Sequence, residues 1–166
     1  MKRPFLMAIL AVAPFFLGSA ANAGELKSFV RGSWRSIVEA HAGRPVIIHF
    51  WGLTCGPCRV EMPAWGKLFA EKPGLPLVTV NADMVPDAPE DAQEFLSKSG
   101  LSNADNWIFD ESFVERLRYE VDPKWQGEIP VTLLIGRDGV KRRIEGSASI
   151  PEVSTWFDEE HKPAKK

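Results

Sequence analysis

Cysteine is scarce in this 166-residue chain, which has only Cys55 and Cys58. That excludes a disulfide-scaffolded miniprotein, and it leaves no second cysteine pair to complete a four-ligand zinc site. An excess of positive charge is also missing, with 20 Lys and Arg against 22 Asp and Glu and a net charge of -2. A phosphate backbone therefore finds no basic surplus to neutralise it, and nucleic acid is excluded as a partner. No apolar run reaches the roughly 18 residues that a spanning helix requires. What is present is ordinary for a folded chain: 45% hydrophobic, 25% charged, 13 Gly and 13 Pro. Such a composition rules out both a disordered chain and a collagen-like repeat.

The longest apolar stretch lies at the N-terminus. Lys2 and Arg3 precede Phe5 to Leu17, followed by Gly18, Ser19 and the small-residue triplet Ala21-Asn22-Ala23. This is the pattern of a secretory signal peptide cleaved after Ala23; the competing reading is a retained anchor, against which count the shortness of the run and Pro14. No cysteine follows the run to carry a lipid. Residues 1–23 are thus expected to be removed. Residues 24–162 remain as one domain large enough to bury a core, and 163–166 form a disordered tail. Export would place the protein in the periplasm.

Along the remaining chain, Leu26, Phe29, Val30, Trp34, Ile37 and Val38 recur at helical spacing and predict an N-terminal helix ending near Ala42. Val46 to Trp51 is almost wholly apolar, as a strand covered on both faces would be. A helix carrying Val60, Met62, Trp65, Leu68 and Phe69 follows, with a kink expected at Pro63. Leu75–Asn81 reads as a second buried strand, 90–99 as a helix, 106–109 as a short strand and 112–119 as a helix. Val131–Ile135 and Val140–Glu145 flank Gly136-Arg137-Asp138-Gly139, a hairpin signal, and 150–161 closes the chain as a helix. The order βα, βα, ββα describes a single α/β domain.

Cys55-Gly56-Pro57-Cys58 falls between a buried strand and a helix. As a staple, so short a loop contributes only about 2 kcal/mol. At a helix N-terminus, however, unpaired N–H groups and the macrodipole stabilise a thiolate, so the first cysteine is suited to attack and the second to resolve a mixed disulfide. Redox exchange is the chemistry this setting favours.

Phe50-Trp51-Gly52-Leu53-Thr54-Cys55-Gly56-Pro57-Cys58-Arg59 resembles the active-site segment of the thioredoxin superfamily. Arg59-Val60-Glu61-Met62-Pro63, the run Glu128-Ile129-Pro130-Val131-Thr132-Leu133-Leu134-Ile135 with Arg137-Asp138-Gly139 after it, and the insertion between Asn81 and Trp107 resemble its exported TlpA/ResA/DsbE-like thiol-disulfide oxidoreductases. The resemblance spans Pro45 to Phe157. It implies a thioredoxin fold, a central mixed β-sheet flanked by helices, with an N-terminal helical extension and an inserted strand and helix. It further implies that Cys55 is the nucleophile and Cys58 the resolving thiol. Ile129-Pro130 would form a cis peptide facing them, and Ile129 would pair with an extended substrate.

The sequence departs from that group at two positions. Thr54 stands where the group usually carries Trp, which leaves the substrate face less apolar. His49 stands where thioredoxin has a buried carboxylate and the TlpA-like proteins often an amide. An imidazole there is either a proton relay to Cys58 or a core histidine satisfied by a backbone carbonyl. Glu61, three residues after Cys58, matches the group's active-site acid; its alternatives are proton shuttle and first-turn helix-dipole partner. Trp51 and Trp125 join Ile129 and Pro130 as expected substrate-binding residues, while Trp34, Trp65, Trp107 and Trp156 are expected in the core. His41 and His161 are expected on the surface.

The reading that results is a periplasmic monomer exchanging the Cys55/Cys58 dithiol with disulfides of exported proteins, with no metal and no cofactor beyond its own disulfide. The resemblance implies a reductase supplied with electrons by a membrane thiol reductase, for example in cytochrome c maturation. The alternatives are a disulfide oxidase or isomerase, and a Cu(I) chaperone using the cysteines with His49 or Met62.

Overall fold

The computed structural model describes residues 24–85 and 87–162. The signal peptide read at 1–23 and the tail read at 163–166 lie outside the described residues.

Among the described residues six strands form one mixed sheet in the order β1-β4-β3-β2-β5-β6. They are β1 (Lys27–Phe29), β2 (Val46–Trp51), β3 (Leu77–Asn81), β4 (Asp105–Phe109), β5 (Val131–Ile135) and β6 (Lys141–Glu145). The helices are α1 (Ser33–Ala40), α2 (Gly56–Glu71), α3 (Pro89–Lys98), α4 (Val114–Val121) and α5 (Ile150–Glu160). Strands β1, β4, β3 and β2 run parallel, while β5 is antiparallel to both β2 and β6.

Strand β2 is central, and every one of its residues is buried. Alternation along the strand sends Val46, Ile48 and Phe50 into one core and Ile47, His49 and Trp51 toward the other face. The first core is shared with Trp34 and Ile37 of α1, Leu117 of α4 and Trp125. The second is shared with Cys58, Met62 and Trp65 of α2, Leu96 of α3 and Phe157 of α5. The two layers of helices explain why β2, β3 and β5 read as continuous apolar runs. Among the described residues no helix is long and apolar enough to cross a membrane.

The N-terminus departs from expectation. Lys27–Phe29 is a strand, paired in parallel with Trp107–Phe109, and the helix begins only at Ser33. Gly32 adopts φ +87°, outside the helical region, and separates the two elements. Phe29 carries the apolar periodicity because it enters the same core as Trp34 and Ile37, but it does so from the sheet. Two further boundaries differ. Helix α4 starts at Val114, leaving Phe113 60% exposed ahead of it, and the buried charge on its inner face is Arg118. Strand β3 starts at Leu77 rather than Leu75. Helix α2 continues through Pro63 to Glu71; the proline removes one N–H from the ladder, and the helix is held by burial of Met62, Trp65 and Leu68.

Close packing sets the distance between α2 and the end of α3. A Cβ on Gly66 would collide with the Ser99 carbonyl, so only glycine allows the helix to lie this close.

Candidate functional site

Cys55 ends the turn after β2 and caps α2. Its Sγ accepts a hydrogen bond from the Cys58 N–H at 3.2 Å, and Pro57 occupies the first turn, where its missing N–H costs nothing. Cys55 and Cys58 form a disulfide. The two sulfurs have different surroundings: Cys58 is fully buried against Met62 and Trp65, whereas Cys55 borders an open groove of about 380 Å³. Thr54, Pro57, Asp83, Met84, Gly127 and Ile129 are among the residues that line it. A partner reaching the pair therefore meets Cys55 first.

Ile129 stands opposite. Its carbonyl oxygen lies 3.5 Å from Cys55 Sγ, and the Ile129–Pro130 peptide is cis. The segment that presents it is held from below. The indole Nε1 of Trp125 donates to the Glu128 carbonyl at 2.8 Å, and the buried guanidinium of Arg118 packs against Gly127, where a Cβ would collide with it. Gly127 has φ +102°, a second reason for glycine there.

Two members of the expected substrate-binding set need correction. Trp51 is fully buried with its ring 5.4 Å from Phe95, so it packs beneath the site and does not line the groove. Trp125 is only 5% exposed and stacks edge-on to Phe50 at 4.7 Å. Both are displaced from the groove for the same reason: each indole gains more from burial in a core than from exposure at the mouth. Trp34 and Trp65 are buried as expected, and Trp107 and Trp156 are partly so.

Behind the disulfide, His49 from β2 meets Glu61 from α2. Their Nε2 and Oε1 atoms are 3.2 Å apart, and both side chains are almost completely buried. His49 Nδ1 lies 3.0 Å from Thr132 Oγ1, directly across the β2–β5 pairing. Glu61 Oε2 accepts from the Ala148 N–H at 2.9 Å. Burial pushes His49 down to about 3, so the imidazole is neutral. Burial also pushes Glu61 up to about 7, against the lowering effect of the bonds from Ala148 and Ser147. One carboxylic acid and one neutral imidazole can hold a proton between them near neutral pH, one helical turn from Cys58. The hydrogen-bond partner of His49 is thus the Thr132 hydroxyl, not the backbone carbonyl considered from sequence, while Nε2 faces Glu61 Oε1 without a hydrogen bond. Among the described residues no group of three His, Cys, Asp or Glu is placed to hold a metal ion.

A further cluster was not anticipated. The Asp83 carboxylate accepts from Thr54 Oγ1 at 2.5 Å and from Thr54 N–H at 3.2 Å. The Asp87 carboxylate accepts from Asn81 Nδ2 at 2.6 Å and from Leu53 N–H at 3.3 Å. A Cβ on Gly52 would strike the Asp83 carboxylate. Three consecutive residues before Cys55 are therefore shaped around two acids from the β3–α3 loop. The sequence signal was the small and hydroxyl character of Gly52 and Thr54, which acquires meaning only once that loop is folded over them.

A strand-borne turn into a CxxC helix, faced by an X-Pro strand in a mixed sheet, defines a thioredoxin-fold protein with a cysteine-pair site. The Thioredoxin family model matches residues 25–93. The thiol-disulfide oxidoreductase ResA of Halalkalibacterium halodurans is 30% identical over 124 residues, covering 73% of this chain and 64% of ResA. The chain thus spans just under two thirds of the length of the ResA relatives it matches. Among solved structures, a secreted disulfide oxidoreductase of Mycobacterium tuberculosis, homologous to E. coli DsbE, superposes with a TM-score of 0.58 at 21% identity, covering 73% of this chain and 85% of that one. StoA from Bacillus subtilis does so at 0.52 and 20% identity, covering 69% and 83%. The fold is thus that of thioredoxin, and the chain is similar to thiol-disulfide oxidoreductases of the ResA kind.

Proposed function

We propose that this protein is a periplasmic thiol-disulfide oxidoreductase that reduces disulfides of exported proteins. The observation that carries the reading is the asymmetry of the pair: Cys55 opens on a groove beside Ile129 and Cys58 is fully buried behind it. In the reduced protein, the Cys55 thiolate attacks one sulfur of a substrate disulfide. The substrate S–S bond breaks, its second sulfur leaves as thiolate, and a Cys55–substrate disulfide forms. Cys58 then attacks Cys55 Sγ, closing the intramolecular disulfide and releasing, as a second thiolate, the substrate sulfur that Cys55 had attacked. The substrate gains two electrons and the protein loses them. A donor dithiol, for which a membrane thiol reductase is the fitting class, returns the pair to the reduced state.

Within this cycle Cys58 must lose a proton where bulk water does not reach. Glu61 and His49 form the adjoining group able to accept it, so we assign them proton transfer at Cys58. Ile129 offers its backbone to an extended substrate strand, Pro130 fixes the approach of that segment, and Trp125 holds it from beneath. No cofactor beyond the cysteine pair enters the scheme. The reducing direction and a place in cytochrome c maturation rest on resemblance to the TlpA/ResA/DsbE-like group, and the periplasmic location rests on the N-terminal signal pattern.

Insulin reduction by the dithiol-loaded protein tests the reading. Turnover that is lost in Cys55→Ser supports it, and absence of exchange in the reduced wild-type protein overturns it.

A further inference from the structure

Asp83 and Asp87 have no part in the exchange scheme, yet they are the groups most closely built into the turn that presents Cys55. Asp83 is only 4% exposed and lines the same groove as Cys55. Its carboxylate is held by the side chain and the backbone of Thr54, the residue immediately before the nucleophile, and lies on the bare Cα of Gly52. Asp87 holds Leu53 N–H and Asn81 in the same loop. We infer that Asp83 is a positioning and charge-setting residue: through Thr54 it fixes the turn carrying Cys55, and its buried negative charge biases the pair toward the disulfide, making the dithiol a stronger reductant. The inference rests on the exchange reading above and concerns what sets its direction.

The physics is that of a fixed charge in a poorly solvated place. A carboxylate near a sulfur raises the free energy of the thiolate, opposing the N-terminus of α2, which lowers it. A destabilised thiolate means a destabilised reduced state, hence a more reducing couple; the reverse, a stabilised reduced form, makes a strong oxidant. Asp87 assists by sharing the burden. Burial raises it above the ordinary carboxylate range, with the neighbouring Asp83 adding to the rise against the opposing bonds from Asn81 and Leu53. Asp87 is thus a weaker acid than an ordinary aspartate.

Other charged groups around Cys55 are engaged elsewhere. Arg59, next along α2, lies 6.0 Å from the Phe95 ring centroid. On the facing segment, Glu128 pairs with Arg143 at 2.6 Å, and Arg118 is buried under Gly127 with Glu115 at 3.5 Å. Glu61 and His49 face each other on the Cys58 side.

The test is the pH profile of Cys55 alkylation by iodoacetamide in the reduced protein, together with the glutathione redox equilibrium. In Asp83→Asn the Cys55 midpoint should fall by about one pH unit. Below both midpoints the thiolate fraction then rises about tenfold, but intrinsic nucleophilicity falls, so alkylation should quicken about threefold. At pH values below both midpoints the glutathione equilibrium should stay within a factor of two of wild type, and above them it should move up to about tenfold toward the dithiol, roughly 30 mV. Should Asp83→Asn fail to fold, Thr54→Val carries the test, because it removes the hydroxyl that holds the carboxylate against the active-site turn; the midpoint should move in the same direction by less. A merely structural Asp83 lowers the melting temperature and leaves the midpoint and the equilibrium at wild-type values, and that result, or an alkaline movement, overturns the inference. If the wild-type protein reduces insulin while the midpoint is unmoved, the inference alone fails; if the wild-type protein does not exchange at all, the functional reading fails first.

Discussion

His49 Nε2 and Glu61 Oε1 face each other at 3.2 Å from opposite layers, a strand and a helix, with almost no access to water. The imidazole is depressed to about 3 and the carboxyl raised to about 7, both by burial, so across most of the acid range the pair is neutral and uncharged.

Stability should follow from the two shifts with opposite signs. Between about 3 and its ordinary 6.5, His49 binds more proton unfolded than folded, so stability rises with pH. Between its ordinary 4.5 and about 7, Glu61 binds more proton folded than unfolded, so stability falls with pH, by about 3 kcal/mol in all. The contribution of the pair is expected to climb from pH 3 to 4.5, stay nearly level to 6.5 and decline toward 7. Denaturant unfolding of Glu61→Gln across this range should lose the decline; persistence of the full decline in that variant would remove Glu61 as its source.

The roles of the two sulfurs predict distinct single mutants. Cys58→Ser should accumulate a mixed disulfide with an envelope substrate and Cys55→Ser should not, since the intermediate forms on Cys55 and needs Cys58 for release. Non-reducing gels of extracts incubated with each variant decide this, and equal trapping by both would cancel the assignment.

Trp125→Phe keeps an aromatic ring beside Phe50 but leaves the Glu128 carbonyl without its 2.8 Å donor. The loss of about 1 kcal/mol should loosen the segment that presents Ile129, and insulin reduction should slow about fivefold. An unchanged rate would show that the segment is held without Trp125.

Gly66→Ala offers the contrasting case. Alanine improves helix propensity by up to about 1 kcal/mol, but the new methyl meets the Ser99 backbone carbonyl, which has no side-chain freedom to retreat. A net destabilisation of about 1 to 3 kcal/mol is expected, with the Cys55 alkylation profile unmoved because the clash lies on the far half of α2. A rise in melting temperature would show that α2 and α3 can separate freely.

Local chemistry was enough to locate the cysteine pair, β2 and the β5–β6 hairpin in the sequence. Each depends on neighbours in the chain: a strand-to-helix junction around Cys55, an unbroken apolar run at Val46–Trp51, and a glycine at the hairpin, Gly139 with φ +78°. Helical spacing misled at Leu26–Val30, because Phe29 fits the periodicity of α1 yet is recruited by Trp107–Phe109, about eighty residues away. Nearness in sequence points Trp51 and Trp125 to the groove, whereas the side of the sheet and the packing behind it place both inside.

By itself the sequence determined the reactive pair, the elements on either side of it and the candidacy of His49 and Glu61, because spacing along one strand or one helix decides which residues share a face. Tertiary structure alone decided what those residues meet. His49 finds Thr132 through the register of β2 with β5, Glu61 finds Ala148 at the start of the approach to α5, and Thr54 finds Asp83 through a loop folded back over the active-site turn. Those contacts join positions 29 to 87 residues apart, and their energies depend on burial and charge proximity, neither of which a linear pattern contains.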